Sequence, residues 1–278
     1  MPSLPCRRFV LLASVLGCWV FASPASAQSE PITGPLPYEH EGVELEAYLA
    51  RPAPGITPAP GRDDEQLPGV LIAHAWWGQG EYARHRARRL AELGYVAVVL
   101  DMYGKGVYTD DPNQASQLAG RFYNQRRLFR ARAAAGLDVL KRQPGVDPDR
   151  CAAIGYCFGG TTVLELAYHG ADLAGVVSFH GSLLPPRPDS LDADNVNAKV
   201  LIAHGQADPF YANDTLLKVI DDLQAADADV TTVLYSGAVH SFTDPSATGE
   251  LAGARYDRDA DRRSWEHMKV FFNEIFAE

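Results

Sequence analysis

The chain has 278 residues, 46% of them hydrophobic and 22% charged, with a formal net charge of −10. That acidity argues against nucleic acid and anionic membrane surfaces as partners. The length suffices for a well-buried core, and no stretch is charged or simple enough to stay disordered at length.

The first segment is not expected to belong to the folded protein. "MPSLPCRRFVLLASVLGCWVFASPASAQSE" opens with Arg7 and Arg8, continues with an apolar run from Phe9 to Ala22, and offers the small residues Ala25, Ser26 and Ala27. This is the pattern of a secretory signal cleaved after residue 27. The run is roughly 14 residues, short of the roughly 18 that a membrane-spanning helix needs. A second processing route is a lipoprotein box at "VLGC", which would leave Cys18 acylated, although Leu16 and Trp19 fit it poorly. The expectation is an exported, periplasmic or secreted protein, with no stable membrane partner unless Cys18 is lipidated. Residues 1–27 carry two arginines and no acids, so residues 28–278 have a net charge of −12.

Residues 28–278 are expected to form a single domain. "YEHEGVELEAYLA" alternates apolar and polar residues about Glu41 and Gly42, predicting an antiparallel hairpin over Tyr38–Ala50. "APGITPAPGRDDEQ" is a Pro/Gly/Asp surface loop. A repeated scheme follows. "GVLIAHA" is a buried strand, "EYARHRARRLAELG" an amphipathic helix closed by Gly94, and "YVAVVLD" a second apolar strand. A long helix lies within 112–143. "CAAIG" is a strand, "GGTTVLELAYHG" a helix and "LAGVVSF" a strand. "KVLIAHG" is a strand, Asp214–Ala226 a helix, "DVTTVLYS" a strand, and Arg262–Phe276 the last helix. Apolar strands without alternation, separated by amphipathic helices, predict an α/β fold with a mainly parallel sheet covered on both faces. Ligands of such sheets bind beyond the carboxyl ends of the strands.

Three strand ends carry chemistry. After "CAAI" comes Gly155-Tyr156-Cys157-Phe158-Gly159, a G-x-C-x-G form of the nucleophile elbow, in which a strained strand-to-helix turn exposes the nucleophile. The helix that starts there aims its N-terminal dipole at the sulfur and favours thiolate. After "KVLIAHG" comes "QADPF" with Asp208, and after "DVTTVLYS" comes "GAVHSF" with His240. Each has a plainer reading alone: a small buried hydrophobe, a turn aspartate, a packing histidine. Together they stand in the chain order nucleophile, acid, histidine of α/β hydrolases. Cys6 and Cys18 go with the signal, and Cys151 and Cys157 are too far apart along an extended strand to bridge the roughly 7 Å that a disulfide allows. An exported protein that keeps an unpaired thiol needs a reason.

With these motifs in place the chain resembles the dienelactone hydrolase family, single-domain α/β hydrolases with a Cys–Asp–His triad. "GYCFGG", "GQADPF" and "GAVHSF" match three motif regions, and "AHAWWG" with "LAELGYVAVVLDMYG" matches the region after the first core strand. The resemblance implies Cys157 as nucleophile, His240 as base and Asp208 as its orienting partner. It also implies an oxyanion hole of the backbone N–H groups of Phe158 and Trp76. Two departures stand out. Ala75 occupies the position of a family glutamate near the resting thiol, leaving activation to His240 and the helix terminus, with His74 adjacent. Asp244 stands where the family carries a carboxylate-binding arginine, and a second such arginine falls near Leu118, with Arg121 the nearest basic residue. A carboxylated substrate is therefore disfavoured.

Trp76, Trp77, Tyr103, Tyr156, Phe158 and Phe242 are candidates for an aromatic, mostly neutral pocket about Ala75, each with core packing as its alternative. His180 in "SFHGS" ends another strand and is either a cleft residue or structural; His204 reads as structural. No metal site is expected, because His169, His180 and His204 lack ligand spacing, and no cofactor fingerprint is present. The expected activity is hydrolysis of a small-molecule carboxylic ester or lactone through an acyl-cysteine. The alternatives are a thioesterase, and a non-catalytic ligand-binding or thiol-sensing protein on the same scaffold.

Overall fold

A computed structural model describes residues 30–56, 66–184 and 196–277, besides Met1. The predicted signal, with Cys18, lies outside the described residues. The strands are β1 (Ile32–His40), β2 (Val43–Arg51), β3 (Leu67–Ala73), β4 (Val96–Val99), β5 (Val146–Tyr156), β6 (Gly175–Phe179), β7 (Lys199–Gly205) and β8 (Val230–Tyr235). They form one eight-stranded sheet in the order β1-β2-β4-β3-β5-β6-β7-β8. The hairpin β1–β2 is antiparallel and joins β4 antiparallel, and every other pairing is parallel. Glu41 and Gly42 turn the hairpin with φ of 51° and 72°. The mainly parallel sheet is the one the strand pattern predicts, and its α/β-hydrolase arrangement is the one the motif order and the family resemblance imply.

Helices cover both faces, which is why the central strands are apolar throughout. On one face α1 (Glu81–Glu92) and α6 (Arg258–Ile275) bury Ala87, Leu90, Trp265, Met268 and Phe272 over Val70, Ile72 and Ile154. On the other lie α2 (Pro112–Asn124), α3 (Arg126–Lys141), α4 (Phe158–Tyr168) and α5 (Asn213–Ala225). There Phe122, Phe129, Phe158, Val163 and Val219 pack on Leu71, Ala73 and Ala153.

The single long helix expected within 112–143 is two helices, broken at Gln125 (φ −124°, ψ 71°). Asp111 caps the first through Asn113 N–H, with Pro112 in its opening turn. No glycine or proline marks the break; packing accounts for it. The rings of Tyr123 and Phe129 lie 5.6 and 5.1 Å from the Phe158 ring. Six positions apart on a straight helix they would point about 120° apart and could not both reach it. The last helix also begins earlier than expected, at Arg258, where the Asp257 carboxylate accepts from the N–H groups of Asp259 and Ala260.

Candidate active site

The turn between β5 and α4 brings Cys157 to the sheet's carboxyl edge in a backbone conformation that side chains rarely adopt, φ 55° and ψ −115°. The turn is tight enough to exclude side chains beside it. A Cβ on Gly155 would sit 1.9 Å from Gly159 O, and one on Gly159 would sit 2.0 Å from Ala73 O at the end of β3. The Cys157 N–H donates to Phe179 O at 3.1 Å, and Cys157 O accepts from Gly160 N–H at 2.9 Å and Ser182 N–H at 3.1 Å. Cys151 and Cys157, the two cysteines among the described residues, are free and buried.

The loops after β7 and β8 supply the other two groups. Asp208 Oδ1 accepts from the N–H groups of Phe210 (2.9 Å) and Tyr211 (3.3 Å), which fixes the carboxylate. Its Oδ2 accepts from His240 Nδ1 at 2.8 Å, leaving Nε2 for the sulfur. Asp208, His240 and Cys157 are 5%, 5% and 8% exposed, so their electrostatics act with little solvent screening.

Burial alone would raise the Cys157 thiol pKa. The His240 charge and hydrogen bond, with the backbone N–H groups of Phe158 and Trp76, outweigh burial and hold it below the ordinary value. Burial pulls His240 down, but Cys157 and Asp208 together raise it to about 10. Both shifts favour a thiolate–imidazolium pair. At Cys151 burial raises the thiol to about 12, and the Lys141 charge and the Gly69 N–H do not offset it.

The predicted pocket residues divide between the two faces. Tyr103 lies close enough to Cys157 to feel its charge, and its hydroxyl donates to Trp76 O at 3.0 Å. Trp76 and Trp77 pack together, ring centroids 4.9 Å apart, in the half-exposed loop that also carries Ala75. The Phe158 ring is core, stacked on Phe129 at 7°; only its amide faces the sulfur. Tyr156 and Phe242 are core on the α1–α6 side, not pocket lining. Strand alternation sends Tyr156 to the face shared by Ile154, where it stacks on Phe179. His180 lies behind the site, its ring 5.3 Å from that of His240. His74 Nδ1 donates to Ala75 O and its Nε2 accepts from Met102 N–H, so it ties β3 to β4 as a neutral ring and does not replace the missing carboxylate.

Three site residues escaped the sequence reading. Tyr123 and Tyr211 both feel the Cys157 charge, and the Phe210 ring stands edge-on to His240 at 5.3 Å. Burial raises the pKa of Tyr103, Tyr123 and Tyr211, so the sulfur is surrounded by neutral phenols. Phe210 and Tyr211 were legible in principle, as the residues whose N–H groups an Asp208 turn would cap. Tyr123 was hidden by the helix break, which no local signal announces.

Neither expected arginine position supplies a cation here. Arg121 is exposed on α2, and the Asp244 carboxylate is turned onto its own loop, where Oδ1 accepts from Ser246 N–H (2.9 Å) and Oγ–H (2.7 Å). Neither of these two positions therefore offers a carboxylate clamp, and Asp244 is not a facing acid. Among the described residues no group of three or more His, Cys, Asp or Glu side chains is placed to hold a metal ion.

The dienelactone hydrolase family model matches residues 54–276. The chain belongs to that family. It is 27% identical to a Salmonella typhimurium protein named "Putative carboxymethylenebutenolidase", covering 95% of this chain and 94% of that one. It is 25% identical to an Aquifex aeolicus protein of the same name, covering 84% and 95%. Among solved structures it is similar to the dienelactone hydrolase-like promiscuous phosphotriesterase P91 from metagenomic libraries, with 35% identity, a TM-score of 0.82, and coverage of 89% and 99%. As a member of this family the chain is a hydrolase of ester or lactone bonds.

Proposed function

We propose that this hydrolase cleaves neutral carboxylic esters or lactones through a covalent acyl-cysteine on Cys157. The observation that carries the reading is the buried run from Asp208 through His240 to Cys157, built from the ends of three parallel strands. The Cys157 thiolate attacks the carbonyl carbon, and the oxyanion forms against the N–H groups of Phe158 and Trp76. As the carbon–oxygen bond breaks, His240 Nε2–H protonates the leaving oxygen. His240, now neutral, takes a proton from water, whose oxygen attacks the thioester; the acid leaves and the thiolate–imidazolium pair returns. Asp208 keeps the imidazole in the tautomer that presents Nε2 and stabilises its charged form. The neutral phenols about the sulfur, and the lack of a clamp at the Arg121 and Asp244 positions, favour uncharged acyl groups. Residues 1–27 are proposed as a cleaved export signal.

The test uses an activated neutral aryl ester. Cys157→Ala and His240→Ala should each abolish turnover while circular dichroism stays native, and the wild type should trap an acyl adduct on Cys157 by mass spectrometry. Unchanged turnover in either variant would end this mechanism, and a marked preference for carboxylated lactones would end the argument for neutral substrates.

A further inference from the structure

Thr243 stands three residues beyond His240, is 1% exposed, and is where side chains from two other elements meet. Its hydroxyl lies 2.6 Å from the Tyr82 hydroxyl of α1 and 2.7 Å from Nε2 of His180, at the end of β6. Its carbonyl accepts from Arg86 Nη2, also on α1, at 2.8 Å. Arg86 donates its Nε–H to Tyr82 Oη at 3.2 Å and pairs with Asp261 of α6 at 2.5 Å. A guanidinium can only donate. The run that uses every hydroxyl hydrogen therefore goes from Arg86 to Tyr82, from Tyr82 to Thr243, and from Thr243 to His180 Nε2. His180 ends the run with its ring 5.3 Å from the His240 ring, at an interplanar angle of 67°.

A guanidinium, a phenol, a hydroxyl and an imidazole buried together are expensive to desolvate, and apolar side chains would fill the same space at less cost. The cluster's place suggests what it does. Asp208 holds the His240 ring through Nδ1, and the backbone of its loop is tied on one side, His240 N–H to Gly253 O (3.1 Å) and His240 O to Arg255 N–H (2.9 Å). The Thr243 cluster grips the same loop from the side of β6 and α1, where the ring must be kept from swinging if Nε2 is to stay on the sulfur. We propose that the Arg86–Tyr82–Thr243–His180 cluster is a positioning device that fixes the His240 loop and ring against Cys157. The inference rests on the Cys157–His240 reading given above.

The titratable groups about His240 are Cys157 from the elbow after β5, Asp208 and Tyr211 from the loop after β7, His204 on β7 and His180 after β6. Burial holds His180 below its ordinary pKa, so it stays neutral beside the imidazolium. A loosened His240 stabilises the thiolate less and is itself stabilised less as a cation. The acid limb of the kcat/KM profile then moves up in pH and the alkaline limb moves down.

The experiment compares Thr243→Val, Thr243→Ser and Tyr82→Phe with the wild type on a neutral aryl ester. Thr243→Val should lower kcat about tenfold or more, leave KM within about twofold, and narrow the pH profile from both sides. Thr243→Ser, which keeps the hydroxyl, should restore both limbs. A drop in Tm with kcat and both limbs unchanged would overturn the proposal. If Thr243→Val does not fold, Tyr82→Phe removes a hydroxyl from the same run and carries the same expectation and the same refutation. Cys157→Ala and His240→Ala are run alongside. If they keep turnover, the parent mechanism fails; if they are inactive while the cluster variants match the wild type, only the positioning proposal fails.

Discussion

Gly159→Ala tests how closely the elbow is tied to the proposed oxyanion hole. A methyl group at residue 159 would lie 2.0 Å from Ala73 O and 2.7 Å from His74 O, whereas real contacts begin near 3.0 Å. The obstacle is backbone on both counts, so no rotamer change relieves it. Either α4 or the end of β3 must move by about 1 Å, and β3 leads directly into the loop that presents the Trp76 N–H. Overpacking of this kind costs about 1–3 kcal/mol of stability. The displacement also parts the Trp76 and Phe158 amides, and losing one oxyanion donor lowers kcat by about 10²–10³-fold. Gly120→Ala is the control: its methyl meets nothing within 4 Å inside α2, and alanine should stabilise a helix interior there by about 0.5–1 kcal/mol. Thermal unfolding and aryl-ester kinetics on both variants read the outcome. A Gly159→Ala enzyme with wild-type kcat would refute the reasoning, whatever its Tm.

Thiol alkylation separates the two cysteines. Iodoacetamide at pH 7 should label Cys157 and spare Cys151, whose thiol burial raises to about 12. The Cys157 pKa is depressed, so its rate should persist below the ordinary thiol range and fall only as pH drops through the depressed value; His240→Ala removes the main opposing influence and should slow labelling at pH 7. Equal labelling of both cysteines would contradict this. Glu165 is fully buried on α4 and joins Arg126 at 2.8 Å and Arg130 at 2.9 Å. Glu165→Gln leaves the two guanidiniums facing a neutral amide and should cost about 3–5 kcal/mol, read as a lower midpoint in urea; a change under about 1 kcal/mol would show that the pairing is not a net support.

Much of the fold was legible because its signals are local. Continuous apolar strands such as "KVLIAHG" and amphipathic stretches such as "EYARHRARRLAELG" need no partner to be read. The order Cys157, Asp208, His240 at the ends of β5, β7 and β8 was equally plain, and the structure brings all three together. The face taken by Tyr156 was also readable, since it alternates with Cys151 and Ala153 and shares its side with Ile154. Treating it as a pocket residue set nearness in sequence above strand geometry.

Other features depend on groups that meet only when the chain closes. Nothing in "RFYNQRRLFR" announces the break at Gln125, which follows from bringing both Tyr123 and Phe129 onto Phe158. Nor could the spacing show that Arg86 and Tyr82, more than 150 residues before Thr243, meet its carbonyl and hydroxyl. The strand-and-helix scheme, the strained turn at Cys157 and the types and order of the three candidate catalytic groups are all written in neighbouring residues and could be read without a structure. Which aromatic rings surround the sulfur, which carboxylate turns away and which side chains meet at Thr243 emerge only from the folded chain, because they depend on distances between segments far apart in sequence.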